Sequence, residues 1–194
     1  MTTPTPWGSM ACWMESALWR VSRSCTCRRR AKTSTNKSTA AGKAYFGRRY
    51  QLSASHRLHT DALSAAENRT AYGKCNNPQG HGHNYVVEVV VGGLVDGETG
   101  MVMNLVDLDA AVNARVIERF DHANLNLDPL FARQVPTTEN FCRVIFSLLQ
   151  EALPAGKLEH VRVEETENNF FECYGNQCAP EVHAHKIFRT KKEK

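Results

Sequence analysis

Apolar and polar residues alternate along two long stretches of the chain, and this alternation predicts β-strands. The first stretch begins near Tyr45 and places His56 on its more apolar face. The second runs from His83 to about Val91. Shorter segments of the same kind predict a returning strand and a closing pair of strands, over Met101–Met103, Leu158–Thr166 and Phe170–Tyr174.

Helical signals appear in three places between these strands. Ser64 followed by Glu67 is a capping-box pattern. A helix with one apolar side follows Asn104, and a more strongly patterned helix follows Thr137 or Thr138. The predicted spans are Ala65–Tyr72, Leu105 to about Phe120, and the stretch that Pro154 ends.

The principal elements therefore follow the order ββααββ. Strands and helices that are segregated in this way predict an α+β fold. We expect an antiparallel sheet with the helices packed on one of its faces.

The net charge of +4 conceals an uneven distribution along the chain. Residues 1–43 carry eight Lys or Arg and one acid, residues 44–174 carry eleven against seventeen, and residues 175–194 carry five against two. We expect a basic, disordered extension over 1–44, one folded domain over 45–174 and a mobile basic tail over 175–194. The acidic body argues against a nucleic-acid partner, because phosphate recognition needs a basic face.

The seven cysteines are odd in number and have no framework spacing, which favours a reducing compartment. The sequence has no run of about eighteen apolar residues that would span a bilayer, and no apolar segment typical of a secretory signal near its start. We expect a cytoplasmic protein without a membrane partner. The Arg- and Ser-rich start makes a mitochondrial transit peptide the alternative.

The segment Lys74–Tyr85 brings one thiol and two imidazoles together directly before a predicted strand. His81 and His83 are two residues apart, so on an extended backbone they point to the same face and can reach one metal ion. A third neutral histidine would complete a zinc site of the catalytic type, whose fourth position is open. Cys75 lies beside these ligands and is a candidate reactive thiol.

Six segments of the body, in this order, resemble the 6-pyruvoyltetrahydropterin synthase family of animals. They are LSASHRL around His56, YGKCNNPQGHGHNY around Cys75, TGMVMNLVDL from Thr99, FDHANLN from Phe120, PTTEN from Pro136 and VRVEETENN from Val161. Six segments in the family's order are far more specific than the HGH motif alone.

The resemblance implies a tunnelling fold (T-fold), with a four-stranded antiparallel sheet and two helices on one face. It also implies a homohexamer made of two trimers, with active sites at subunit interfaces. The substrate would be a small-molecule pterin triphosphate, with one Zn²⁺ in each subunit and Mg²⁺ accompanying the triphosphate.

The resemblance also assigns roles to individual residues. The zinc ligands would be His56, His81 and His83. The catalytic residues would be Cys75 as the base, assisted by Asp121 and His122. The pterin would be anchored by Glu165 and would contact Thr137 and Thr138.

The implied reaction explains why these residue types are needed. It converts 7,8-dihydroneopterin triphosphate to 6-pyruvoyltetrahydropterin by eliminating triphosphate and moving protons at carbon, without an external redox cofactor. Zinc held by three neutral imidazoles is a strong Lewis acid for the side-chain oxygens. A thiolate can abstract a proton, and a carboxylate can accept two hydrogen bonds from a pterin ring.

The triphosphate-binding residues are predicted from charge and position rather than from the resemblance. A polyanion that approaches an acidic body needs a local basic cluster. Lys74 adjoins Cys75 and Arg57 adjoins His56, and Arg48 and Arg49 lie on the strand that leads to His56. The competing interpretation of Arg57 is a solvated surface residue.

Two other functions are compatible with the same motif. The first is 6-carboxytetrahydropterin synthase, which shares the fold and the zinc site but usually has a shorter spacing than the five residues between Cys75 and His81. The second is a non-catalytic module in which Cys75 is the fourth ligand of a closed structural zinc site.

Overall fold

The fold is that of a computed structural model, which describes residues 42–175. The strands are Lys43–His56 (β1), His81–Leu94 (β2), Ala123–Asn124 (β3), Leu158–Glu164 (β4) and Phe170–Tyr174 (β5). The helices are Ala65–Tyr72 (α1), Leu105–Val112 (α2), Glu118–Phe120 (α3) and Thr138–Ala152 (α4). Short 3₁₀ turns cover Gly73–Asn76, Leu125–Leu127 and Pro129–Phe131. Most of the predicted basic extension and basic tail lies outside the described residues.

The five strands form one sheet in the order β3-β1-β2-β4-β5. The four long strands pair antiparallel, as the sequence predicts. The fifth strand, β3, was not predicted and adds two residues that pair parallel to the end of β1. β1 begins at Lys43, two residues before the predicted start at Tyr45.

One face of the sheet and the helices enclose the hydrophobic core. On β2 the odd-numbered residues from 85 to 91 are fully buried, and they are Tyr85, Val87, Val89 and Val91. Helices α2 and α4 contribute further fully buried side chains, among them Leu108, Val112, Phe141, Ile145 and Leu149. Arg162 and Glu164 of β4 form ion pairs on the opposite face. This division gives the two faces of the sheet different chemistry.

The predicted strand over Met101–Met103 is wrong. The Met101 carbonyl accepts a hydrogen bond from the Asp96 backbone across a tight turn, and the Val102 carbonyl accepts one from the Lys157 ammonium. Both carbonyls therefore accept hydrogen bonds from groups other than a neighbouring strand, and the segment does not pair with the sheet.

The predicted helix from Leu105 to Phe120 is present, but a π-helical turn over Asn113–Ile117 separates α2 from α3.

An aromatic cluster joins the helices to β2. Phe141 of α4 packs edge-on against Phe120 and Tyr85, with ring centroids 5.1 and 5.3 Å apart. Tyr85 in turn lies 5.5 Å from the ring of His83. Such aromatic contacts add to the stabilisation that burial provides, and they fix the rotamers of the rings. The core therefore extends directly to the histidine end of β2.

None of the helices within residues 42–175 combines the length and the apolar character that crossing a membrane requires.

Helix α1 has the predicted bounds and capping box. The Ser64 hydroxyl accepts from the Glu67 backbone, and the Glu67 carboxylate accepts from the Ser64 backbone. The buried residue of α1 is Asn68, whose amide group donates to three carbonyls and accepts from the Thr60 backbone. This single amide attaches the helix to the loop that follows β1.

Replacing Asn68 with Ala should lower the free energy of unfolding by about 1–3 kcal/mol, because it leaves buried backbone groups without partners. Urea denaturation monitored by circular dichroism would measure the change. The control is Thr70→Ala, since Thr70 is an exposed residue of the same helix and makes one local hydrogen bond. Equal loss of stability in the two variants would contradict the anchoring role of Asn68.

Candidate metal centre and adjacent thiol

The pairing of β1 with β2 brings the three predicted metal ligands together. His56 lies opposite His81, and Ala54 lies opposite His83. All three imidazoles project from the same face, with ring centroids 4.7 to 5.1 Å apart. One nitrogen from each lies within 4.8 Å of the others. The three histidines therefore form a group that could hold one metal ion.

The proton of His56 is fixed by the loop that leads into α4. Nδ1 of His56 donates to the Pro136 carbonyl at 2.8 Å, which leaves Nε2 with a free lone pair. That Nε2 lies 3.2 Å from Nε2 of His81. Two nitrogens bound to one zinc ion in a tetrahedral site are about 3.4 Å apart, so this spacing fits shared coordination.

The electrostatic environment favours neutral imidazoles. Burial lowers the pKa of His56 and the pKa of His83, although the Glu165 carboxylate opposes both shifts. Nε2 of His83 is buried and has no hydrogen-bond partner among the described residues. A buried nitrogen of this kind requires a ligand to satisfy it, and a metal ion is one that matches the donor set.

Glu165 lies beside the histidines rather than at a distance from them. Its Oε1 is 3.6 Å from Nε2 of His83 and 3.8 Å from Nε2 of His56. The same oxygen accepts a hydrogen bond from the Thr138 hydroxyl at 2.5 Å. Thr137 has a different role, because its hydroxyl caps α4 by accepting from the Asn140 backbone. Of the two threonines predicted to contact substrate, Thr138 is the one that bonds to Glu165.

Cys75 is held close to the end of β1 by two hydrogen bonds. Its carbonyl accepts from the Leu58 backbone at 2.8 Å, and the buried Asn76 amide donates to the Leu58 carbonyl at 2.7 Å. Cys75 and Cys142 carry free thiols, whereas Cys173 is disulfide-bonded, so the expectation of reduced cysteines holds for the first two. Burial, followed by the nearby Glu165 carboxylate, raises the pKa of the Cys75 thiol.

A glycine allows the loop after Cys75 to return to β2. Gly80 has a φ of 69°, and a Cβ at this position would lie 2.8 Å from the His56 carbonyl oxygen. Any other residue would push the loop away from the end of β1. Gly80 thus permits the close approach that places His81 opposite His56.

Asp121 and His122 lie at the β1 edge of the sheet. The Asp121 carboxylate accepts from the Ser53 backbone at 2.8 Å, a bond that holds the pKa of Asp121 below its usual value. Its other oxygen is 2.9 Å from Nδ1 of His122, whose side chain is 82% exposed. Within residues 42–175, neither residue hydrogen-bonds to Cys75 or to the three histidines. One chain therefore does not bring all the predicted catalytic residues into contact.

The predicted basic residues separate into two groups. Arg48 forms a bidentate pair with Asp109, and Arg49 pairs with Glu164. Both arginines are therefore already ion-paired, with a residue of α2 and a residue of β4 respectively. Arg57 and Lys74 instead line one open cleft of about 620 Å³, which Asn76 also lines.

The architecture and the site together define a class of protein. It has a helix-covered antiparallel sheet that carries, at one end, three histidines able to hold a metal ion, with a free thiol held next to them. Residues 45–176 match the family model described as 6-pyruvoyl tetrahydropterin synthase, so the chain belongs to that family. The fold is the tunnelling fold of that family.

Individual relatives agree with this assignment. The chain is 51% identical to 6-pyruvoyl tetrahydrobiopterin synthase of Homo sapiens over 127 residues, which are 65% of this chain and 88% of the human protein. The solved structure of the Caenorhabditis elegans 6-pyruvoyl tetrahydropterin synthase matches with a TM-score of 0.67 at 40% identity, covering 69% of this chain and 96% of that one. A putative 6-carboxy-5,6,7,8-tetrahydropterin synthase of Archaeoglobus fulgidus is 40% identical over 111 residues, which are 57% of this chain and 88% of the relative.

Sequence patterns missed several groups that organise the site. The Pro136 carbonyl is a backbone group, and no side-chain motif identifies it. Asn76 was part of a turn-forming loop in the sequence, yet it is buried and joins that loop to the end of β1. In the sequence, the position of Asn76 next to Cys75 was the feature that could have indicated this role.

Replacing Glu165 with Gln should lower the pKa of the Cys75 thiol in the metal-free protein, because a nearby negative charge disfavours the thiolate. Burial remains in the variant, so the pKa should return only part of the way. Iodoacetamide alkylation of Cys75, followed against pH by peptide mass spectrometry, should show a midpoint at lower pH. The exposed Glu167→Gln variant is the matched control, and an identical midpoint in both variants would refute the interaction.

Proposed function

We propose that this protein converts 7,8-dihydroneopterin triphosphate to 6-pyruvoyl-5,6,7,8-tetrahydropterin, as a carbon-oxygen lyase of tetrahydrobiopterin biosynthesis. The observation that carries the proposal is the convergence of three imidazoles next to a free thiol and a carboxylate. Membership of the 6-pyruvoyl tetrahydropterin synthase family supports the choice of substrate.

The metal in this proposal is one Zn²⁺ per subunit, held by His56, His81 and His83. Three neutral nitrogen ligands with room for a fourth group are typical of catalytic zinc. When bound, zinc supplies Lewis-acid chemistry at the substrate's side-chain hydroxyl oxygens. The lone pair of His56 is directed to this position by the hydrogen bond from its Nδ1 to the Pro136 carbonyl.

The side chains around the metal centre have two further roles, which are proton transfer and orientation of the substrate. Cys75, as a thiolate, removes a proton from carbon on the substrate side chain. Glu165 accepts hydrogen bonds from the pterin ring and so fixes its orientation, while the Thr138 hydroxyl holds the carboxylate in place. Thr137 maintains the start of α4 and thereby the position of Thr138.

The raised pKa of Cys75 in the single metal-free chain means that the thiol needs a charge partner to ionise. We assign this role to Asp121 and His122 of a neighbouring subunit. His122 is largely exposed and is oriented by the Asp121 carboxylate. A proton from the thiol would pass to the imidazole, which the carboxylate stabilises as a cation.

The proposed assembly is a homohexamer of two trimers, with each active site shared between subunits. An exposed catalytic pair at a sheet edge is consistent with an interface that completes the site. The cytoplasm is the proposed compartment.

The first test is incubation of the purified protein with dihydroneopterin triphosphate and identification of the products. We expect triphosphate and 6-pyruvoyltetrahydropterin. Cys75→Ala should keep one zinc per subunit but lower kcat by about 100-fold or more, since general acid–base groups typically contribute this much.

The same assay separates the alternatives. A carboxylated pterin with acetaldehyde would identify the 6-carboxy enzyme. Loss of zinc from Cys75→Ala would identify a closed structural site. His81→Ala should lose both zinc and activity, whereas His160→Ala should keep its zinc, because His160 stacks on Tyr174 away from the triad.

The second test is subunit complementation. Cys75→Ala and His122→Ala should each be inactive, but hybrid oligomers refolded from a mixture should regain part of the wild-type activity. In a hybrid, an intact Cys75 can meet an intact His122 from the other chain. Mixing Cys75→Ala with His81→Ala is the control and should restore nothing, because both residues belong to the same subunit's half of the site. Failure of both mixtures would place His122 in the same subunit as Cys75.

A further inference from the structure

The cleft beside Cys75 contains an unusual concentration of unpaired positive charge. Its lining residues are Arg57, His59, Ala65, Arg69, Gly73, Lys74, Asn76, Asn77 and Pro78. No Asp or Glu is among them. Its volume of about 620 Å³ lies within the range typical of small-molecule sites.

The three permanent cations of this cleft lack acidic partners. Elsewhere in the described chain, Arg48, Arg49, Arg119 and Arg162 form ion pairs. Arg115, Arg133 and Arg143, which are unpaired in that part of the chain, lie outside this cleft. Within the described residues Arg57, Arg69 and Lys74 form no ion pair. The Nε of Arg57 is buried and has no hydrogen-bond acceptor there. Unpaired cations around a shared cavity repel one another, so an anion that binds there removes an electrostatic cost.

Two acids lie near the cleft in sequence, and among the described residues neither pairs with Arg57, Arg69 or Lys74. The Glu67 carboxylate caps α1 through the Ser64 backbone. Asp61 is fully exposed and lies 3.6 Å from His59. The His59 ring also contacts the Asn76 amide, with its Nδ1 at 3.0 Å. The cleft thus keeps a net positive charge within a body that is acidic overall.

We propose that this cleft binds the triphosphate of the substrate, and that Arg69 of α1 is a binding residue together with Arg57 and Lys74. The proposal rests on the proposed function and extends it to a residue outside the metal centre. Arg57 follows the ligand His56 and Lys74 precedes Cys75, so consecutive backbone positions connect the two sites. Under this proposal the triphosphate remains in the cleft after elimination, as the free leaving group.

Arg69 has a particular place in this arrangement. It belongs to α1, which Asn68 attaches to the loop after β1. Its guanidinium can donate two parallel hydrogen bonds to phosphate oxygens, which a lysine cannot do. Arg69 therefore supplies geometric selectivity for a phosphate chain, in addition to charge.

The test uses inorganic triphosphate as the probe, with the full-length zinc-loaded protein and excess Mg²⁺. Calorimetry should show binding that weakens as salt concentration rises. Arg69→Gln and Lys74→Gln should each weaken it by about tenfold or more, the usual effect of losing a hydrogen bond to a charged group. Arg133→Gln is the matched control, since Arg133 is exposed, unpaired in the described chain and outside the cleft. Zinc content is measured after each titration.

Each outcome bears on the proposal. Unchanged affinity in Arg69→Gln, equal loss in Arg133→Gln, or no binding to the wild type would overturn it. With dihydroneopterin triphosphate, Arg69→Gln should raise KM while leaving the binding of unphosphorylated dihydroneopterin unchanged; equal loss of both ligands would also overturn it. If the protein binds triphosphate through Arg69 but forms no 6-pyruvoyltetrahydropterin, the proposed function fails and the anion site stands.

Discussion

The register between β1 and β2 is the constraint on which the site depends. It places His56 opposite His81 and Ala54 opposite His83, so that three imidazoles meet on one face at one end of the sheet. A slip of one residue would turn the histidines of β2 to the other face. The register is fixed by the core, because Tyr85 and the valines at 87, 89 and 91 share the parity of His81 and His83 and are fully buried. Burial of the apolar part of the strand thus positions its polar end.

Two segments distant in sequence complete the surroundings of the imidazoles. The loop before α4 supplies the Pro136 carbonyl, and the turn after β4 supplies Glu165, which α4 holds through Thr138. The thiol belongs to a third segment, which one backbone hydrogen bond and the Asn76 amide join to the residues after His56. Each group is held by a contact of its own, so the arrangement requires little reorganisation when substrate binds.

The sequence was most informative where the physical signal is local. Strand parity predicted that His81 and His83 share a face, and the capping box predicted the start of α1. It was least informative where a partner is distant along the chain. The bond between His56 and Pro136 spans eighty residues, and nothing in the pattern around Arg48 indicates its pairing with Asp109. The strand predicted at Met101–Met103 failed for the same reason, because a lysine from another element takes one of its carbonyls.

One strand serves both as the centre of the core and as the source of two candidate metal ligands, and this affects how inherited or engineered variants should be interpreted. Binding of a metal ion would require the same ordered backbone of β2 that the folded core requires, so metal binding and folding would stabilise each other. A variant at Val87 or Val89 that loosens the strand would release the ion although neither valine touches it. Metal loss in a variant therefore does not identify a ligand, and growth in zinc-rich medium could restore a protein whose defect lies in its packing.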